Sequence, residues 1–219
     1  RATRSADKDR SFNITGITVG IAKKLNIPDD YFVLSQSIQF QYYDLNNYNT
    51  GLFTFGDGSS NNLAYTIGLS RNNTYNDPIY PLGGSNFSIS GKFTFPYSAV
   101  NGVDYTALKN ERQEKTDRIQ ELSSSTDDND IIERNEASQR ITEIDQQRYN
   151  WLEFYKIKFS GDWFTKIKGD LVLRPKFEFG FLGAYNQDRG IIPFDRFYLG
   201  GSGMSQYSMD GRELSLIHI

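Results

Sequence analysis

Cysteine is absent from the 219 residues, and histidine occurs once, as His218. The first absence removes a disulfide scaffold, thiol chemistry and every Cys-based metal site. The second removes histidine general-base chemistry and multi-His metal centres. No apolar run reaches the roughly 18 residues of a transmembrane helix. The opening, Arg1-Ala2-Thr3-Arg4-Ser5-Ala6-Asp7-Lys8, is polar and holds no signal-peptide pattern. An excess of one charge is lacking too: 24 Lys+Arg face 27 Asp+Glu, a net of -3. Nucleic acid wants a basic stripe, so it is not an expected partner. Hydrophobic residues make up only 37% of the chain, where a soluble domain draws about half its residues from that set.

What is abundant is aromatic: 16 Phe, 14 Tyr and 2 Trp, 15% of the chain. They fall on a period of two. Phe32, Leu34, Ile38, Phe40 and Tyr42 alternate with Val33, Ser35, Ser37, Gln39 and Gln41. Leu63, Tyr65, Ile67 and Leu69 alternate with Ala64, Thr66, Gly68 and Ser70, and Phe87, Ile89, Phe93 and Phe95 with Ser88, Ser90, Lys92 and Thr94. Tyr155, Ile157, Phe159 and Trp163 oppose Lys156, Lys158, Ser160 and Asp162; Leu171, Leu173, Phe177, Phe179 and Phe181 oppose Val172, Arg174, Lys176, Glu178 and Gly180. A less regular stretch from Ser11 to Lys24 carries Ile17, Val19 and Ile21 on one side. Such alternation predicts strands with one greasy and one polar face, here about six of them. Pro175 inside the last predicts a bulge or an edge.

The connections alternate in length. Asn26–Asp30, Asp77–Gly84 and Thr165–Asp170 are short, whereas 46–60, 98–150 and the segment after Tyr185 are long. Short turns at one end and long loops at the other are the habit of an outer-membrane barrel. A soluble antiparallel sandwich alternates its faces in the same way. Strand length, the crowding of Phe and Tyr on one face, and the loop alternation favour the barrel.

Residues 103–148 break the pattern. Asn110–Lys115 and Asp117–Leu122 are helix formers, and Ser123–Asp130 is a linker with N-cap chemistry for a second helix through Ile131, Ile132, Ile141 and Ile144. This stretch reads either as a surface hairpin that meets a partner or as a solvated loop insertion with a thin apolar stripe.

Chemistry is sparse. Asp162 and Glu178 lie on polar strand faces beside Lys156, Lys158, Arg174 and Lys176, which suits a charge ladder better than a general acid/base pair. Gly200-Gly201-Ser202-Gly203 lacks the Lys-Ser/Thr and the strand–loop–helix setting of a phosphate loop. Three Asn-x-Ser/Thr triplets, at Asn13, Asn72 and Asn86, sit in or beside strands and read as chance. No enzymatic activity and no cofactor or metal are expected.

One segment carries a resemblance. Ile192-Pro193-Phe194-Asp195-Arg196-Phe197-Tyr198-Leu199-Gly200-Gly201, followed by Asp210-Gly211-Arg212-Glu213, resembles the loop after the eleventh strand in the outer-membrane assembly factor BamA and its bacterial surface antigen relatives, in a Bacteroidetes-like variant. Asp77–Pro81 and Gly84–Phe87 resemble that family's turn between strands eight and nine. The family's Arg-Gly-Phe/Tyr motif is not reached. The resemblance implies an all-β fold: an antiparallel transmembrane β-barrel fragment, an open curved sheet with a helical extracellular-loop insertion. It divides the chain into 1–102 (family strands six to nine), 103–148 (helical insertion), 149–186 (strands ten and eleven), 187–213 (start of the sixth extracellular loop) and 214–219 (a truncated or non-native tail). It implies location in the Gram-negative outer membrane. It also implies insertion and folding of other outer-membrane barrels, without nucleotide or covalent chemistry. Partners would be outer-membrane lipid, client barrels and other subunits of an assembly complex. Gly200 and Gly201 would turn the sixth loop, and Asp210, Gly211 and Arg212 would anchor it. A translocation pore of the same family and a passive porin-like channel are the alternatives.

Overall fold

A computed structural model describes residues 3–4, 11–47, 54–75 and 81–191. The strands are β1 (Thr3–Arg4), β2 (Ser11–Leu25), β3 (Phe32–Asn46), β4 (Gly58–Asn72), β5 (Gly83–Thr94), β6 (Tyr155–Lys168), β7 (Leu171–Leu173) and β8 (Lys176–Gly183), with helices α1 (Tyr105–Glu121) and α2 (Asp128–Tyr149) between β5 and β6. All eight belong to one antiparallel sheet in chain order, and among the described residues it does not close on itself. The expected six long strands are β2 to β6 and the pair β7–β8, which together form the last. Proline is why that strand is cut. The Lys166–Lys168 stretch of β6 shifts register against β7, Pro175 separates β7 from β8, and the Pro175 carbonyl accepts from the Trp163 N–H instead.

The register settles which residues share a face. Val19, Ile38, Tyr65, Phe93 and Tyr155 form one row across five strands; Leu34, Leu69, Ile89, Phe159 and Phe179 form another. Phe40, Leu69, Phe93 and Phe179 therefore project from the apolar face, and Ser37, Ser70, Lys92 and Glu178 from the other, as the alternation predicts. Away from its rims nothing in the described structure covers the apolar face: Ile21 is 71% exposed and Phe179 60%. A sandwich would bury these side chains between two sheets, so that alternative fails. Three of the strands run 15 residues. The ten steps from Phe32 to Tyr42 cover about 33 Å along the strand, or about 25 Å along a normal tilted by about 40°, the height of an outer-membrane barrel's apolar band.

The polar face is lined by small and hydroxylated residues that allow close strand-to-strand contact. The Ser35 hydroxyl donates to the Gly68 carbonyl (3.2 Å), and Ser88 and Ser160 share a hydrogen bond (2.9 Å). The charge ladder expected there is present: Arg174 meets Asp162 at 3.1 Å and Lys176 meets Glu178 at 2.8 Å.

The turn end is clamped by one cation. Arg71, at the end of β4, reaches Asp29 in the β2–β3 turn (2.7 Å) and the Ser85 hydroxyl on β5 (3.1 Å). The Arg71 guanidinium holds the Asp29 carboxyl below its ordinary value.

The buried apolar cluster is not where the alternation would put it. Phe12, Tyr43, Leu45, Phe55, Tyr149, Leu152 and Phe154 pack together with Ile14 and Leu182. The register places Phe12, Ile14, Tyr43, Leu45 and Leu182 on the polar face, at the long-loop end. There the sheet has a lid. The chain leaving α2 lies across it and supplies Tyr149, Leu152 and Phe154.

Candidate loop-anchoring site

The lid forms because β5 stops short. It ends at Thr94, opposite Ala64, while β4 runs on toward Gly58. That leaves a stretch of β4 backbone without a partner, which is costly once covered. The chain leaving α2 fills the gap. The Asn61 N–H donates to the Asn150 carbonyl (2.7 Å) and the Leu152 N–H to the Asn61 carbonyl (2.7 Å). The Thr94 N–H donates to the Phe154 carbonyl (3.1 Å), and the Thr94 hydroxyl both donates to that carbonyl (2.9 Å) and accepts from the Phe154 N–H (2.7 Å). On the apolar side of the same segment Trp151 stacks on Tyr97 (4.5 Å) and reaches Phe40 (6.4 Å), an aromatic patch at the rim of the band.

Between Leu152 and Phe154 stands Glu153, whose side chain is fully buried. A buried carboxylate needs partners, and this one has three donors. Its Oε1 accepts from the Ser98 hydroxyl (2.6 Å), and its Oε2 accepts from the Ser98 N–H (2.8 Å) and from Nη1 of Arg189 (2.7 Å). Arg189 is 2% exposed. It follows β8 and lies in the stretch expected to begin the sixth loop. Its Nε donates to the Arg148 carbonyl (2.8 Å), and its guanidinium lies 5.1 Å from the Tyr105 ring.

Arg148 returns the contact. Its Nη2 donates to the carbonyls of Asp188 (2.9 Å) and Arg189 (2.7 Å), and its Nη1 faces Asp145 (3.4 Å). Asp145, 1% exposed, also takes a two-pronged contact from Arg112 on α1 (2.8 and 3.2 Å). Asp188 closes the ring from outside, held by Lys109 (2.7 Å) and Thr106 (2.8 Å). The Lys109 ammonium and the Thr106 hydroxyl hold the Asp188 carboxyl below its ordinary value. Burial pushes the neighbouring phenols of Tyr97 and Tyr185 up. Gly190 has φ +76° and sits where a Cβ would lie 3.4 Å from the Tyr149 hydroxyl. The cluster thus joins both helices, the β5–α1 connection, the lead into β6 and the chain leaving β8.

The helices outside this root are held mainly by charge. Asp104 caps α1, accepting from the Thr106 and Ala107 N–H groups (3.0 Å each), and Asp127 caps α2 through the Asn129 N–H (2.8 Å). Arg118 grips both oxygens of Glu133 (2.7 and 3.1 Å), and Arg140 those of Glu111 (2.7 and 3.2 Å). A cleft of about 300 Å³ lies between the helices, lined by Glu111, Lys115, Arg118, Glu133, Glu136, Ala137 and Arg140. The insertion is therefore solvated at its outer part but built into the sheet at its base.

Gly200, Gly201, Asp210, Gly211 and Arg212, the anchors expected from the resemblance, lie outside the described residues. The described anchors are Arg148, Glu153 and Arg189, which sequence reasoning passed over. A signal was there: Trp151-Leu152-Glu153-Phe154-Tyr155 sets one carboxylate in a continuous apolar run, and such runs are buried on both sides. Among the described residues there is no cluster of His, Asp or Glu fit to hold a metal.

Comparison with known proteins agrees with this architecture. A family model described as the Omp85 superfamily domain matches residues 2–206, nearly the whole chain. No curated protein matches significantly. A one-layer sheet with a bare apolar face and a lidded polar face is what a piece of barrel wall presents, and with that match the chain belongs to the Omp85 superfamily, a family of outer-membrane proteins.

Proposed function

We propose that this chain forms part of the barrel of a BamA-type insertase, which folds β-barrel proteins and inserts them into the Gram-negative outer membrane. The observation that carries the reading is the division of the sheet: an aromatic face bare across its middle, and a polar face roofed at the long-loop end by the chain leaving α2. The superfamily includes both insertases and translocation or secretion pores, and the resemblance of residues 192–213 to the assembly factor favours the first.

No cofactor is called for. The physical task is to shelter the unpaired N–H and C=O groups of a client strand, each costly in hydrocarbon, until the client closes on itself. Aromatic side chains on the outer face would contact lipid, and the partners would be client barrels and other assembly subunits. No bond is made or broken, so the protein would not be an enzyme.

The test is depletion of the full-length protein in its own cell. Loss of heat-modifiable, folded barrel clients across the outer membrane supports the insertase. Normal client folding with one exported protein held back in the periplasm would replace it with a secretion pore. Normal behaviour of both, with altered uptake of small solutes, would point to a passive channel.

A further inference from the structure

We infer that the helical insertion is a latch on the chain leaving β8, with Arg189 and Glu153 as its buried bolt and Asp188 with Lys109 as its outer catch. This gives the insertion a task in the proposed barrel and rests on that reading only for where the latch faces.

Four observations carry it. The Arg189–Glu153 pair is buried from both sides, at 2% and 0% side-chain exposure, with a separation of 2.7 Å. The other described contacts of the Arg189 side chain are with the insertion: the Arg148 carbonyl at the end of α2 and the Tyr105 ring at the start of α1. Arg148 in turn donates to two consecutive carbonyls, of Asp188 and Arg189, so backbone as well as side chain is gripped. The exposed rim repeats the arrangement, with Lys109 and Thr106 of α1 on the Asp188 carboxylate. A passive insertion needs only to close its own ends. This one places donors or acceptors on two consecutive residues, Asp188 and Arg189, far from it in sequence.

The consequence is directional. Asn186 folds the chain back by accepting from the N–H groups of Asp188 (3.0 Å) and Arg189 (3.3 Å). Gly190 then turns at positive φ against Arg148 and Tyr149. With the latch closed the chain leaving β8 is held against α1, the end of α2 and Glu153. With it open, only the Asn186 turn and the Tyr155–Tyr185 ring contact (5.6 Å) remain among the described contacts to guide that exit. Arg148, Glu153 and Arg189 are accordingly positioning residues, acting on the path of the chain.

The bond after Arg189 is a trypsin site shielded by the latch, so its cleavage reports opening. The experiment uses the purified full-length barrel in detergent, with the fragment beginning at Gly190 counted by mass spectrometry. Glu153→Gln keeps the shape and removes the charge; Asp188→Asn and Lys109→Ala loosen only the exposed catch and leave the buried pair intact, so they serve if Glu153→Gln fails to fold. Heat-modifiability identifies the folded barrels. Cleavage should rise about tenfold or more in Glu153→Gln, the factor for loss of one charge-assisted hydrogen bond, and about two- to fivefold in the rim variants, whose pair is partly exposed. Wild-type cleavage rates in folded rim variants and in folded Glu153→Gln would overturn the latch. If Glu153→Gln does not fold, the rim variants decide alone. A separate arm tests the orientation: Thr126→Cys, at the exposed end of the hairpin in a chain without cysteine, should react with an impermeant maleimide on intact cells. Failure there removes the outward reading of the long-loop end and leaves the latch result standing.

Discussion

Ile89 and Ser90 are neighbours on β5 that point to opposite faces, which makes them a sharp test of the barrel-wall architecture. Ile89 is 43% exposed on the apolar face, in the row with Leu69 and Phe159; Ser90 lies between Gly68 and Lys158 on the polar face. Ile89 stands six residues from the turn-end start of the strand at Gly83. That distance is about 20 Å along the strand, or about 15 Å along the membrane normal at a tilt of about 40°. The side chain therefore sits near the middle of the apolar band, where an arginine on the lipid face costs about 2–4 kcal/mol. Ser90→Arg would meet Lys158 across the strand pair and lose about 0.2–1 kcal/mol to like-charge contact. Urea unfolding of the full-length protein in lipid vesicles should show Ile89→Arg well below wild type and Ser90→Arg close to it. Equal losses, or a larger one for Ser90→Arg, would refute the assignment of faces and with it the claim that lipid covers the Phe-rich side.

Three further outcomes are expected. Glu111 and Glu133 are held below the ordinary carboxyl value of 4.5 by Arg140 and Arg118; a depressed folded value means their support is complete above that pH and is lost as pH falls through the lowered range. Helical circular dichroism of the full-length protein should thus be flat from neutral pH to about 5 and decline only below the ordinary glutamate value, whereas decline above it would refute the assignment. Gly84 has φ +96°, and a Cβ there would lie 2.8 Å from the Thr74 Cα; Gly84→Ala should cost about 1–3 kcal/mol of stability in the same urea assay, and a neutral result would remove the strain. In the full-length barrel, Arg212→Ala should lower client assembly in a complementation assay without abolishing heat-modifiability, and wild-type assembly would reduce Arg212 to a solvated charge.

The faces of the sheet were legible because side-chain alternation is a strictly local property. Ile38, Tyr65 and Phe93 declare their face within their own strands, and the register only lines them up. The break at Pro175 was legible for the same reason. The lid was not. In β3 the odd positions are polar or small from Ser35 to Gln41 and then turn apolar at Tyr43 and Leu45. Strictly read, that is a loss of pattern. Physically it marks where the sheet rises past the band and is covered on its polar face by residues more than a hundred positions later in the chain. Asp145, Arg148, Glu153 and Arg189 come from three separated segments, and no period links them. The isolated carboxylate between Leu152 and Phe154 was the one local signal, and it was not read.

The charged seam of the helical hairpin has a consequence for its surroundings. Two helices joined by leucines would present a surface that hydrocarbon dissolves as readily as a partner helix does, and beside a membrane such a pair could open onto the bilayer. Guanidinium forks on carboxylates offer lipid tails nothing, because parting them in hydrocarbon would strand two charges. The Arg118–Glu133 and Arg140–Glu111 pairs thus keep the hairpin in water while its root sits directly beside the aromatic rim. The molecule holds two adjoining surfaces, one soluble only in lipid and one soluble only in water, and the boundary between them falls within the few residues from Tyr149 to Phe154.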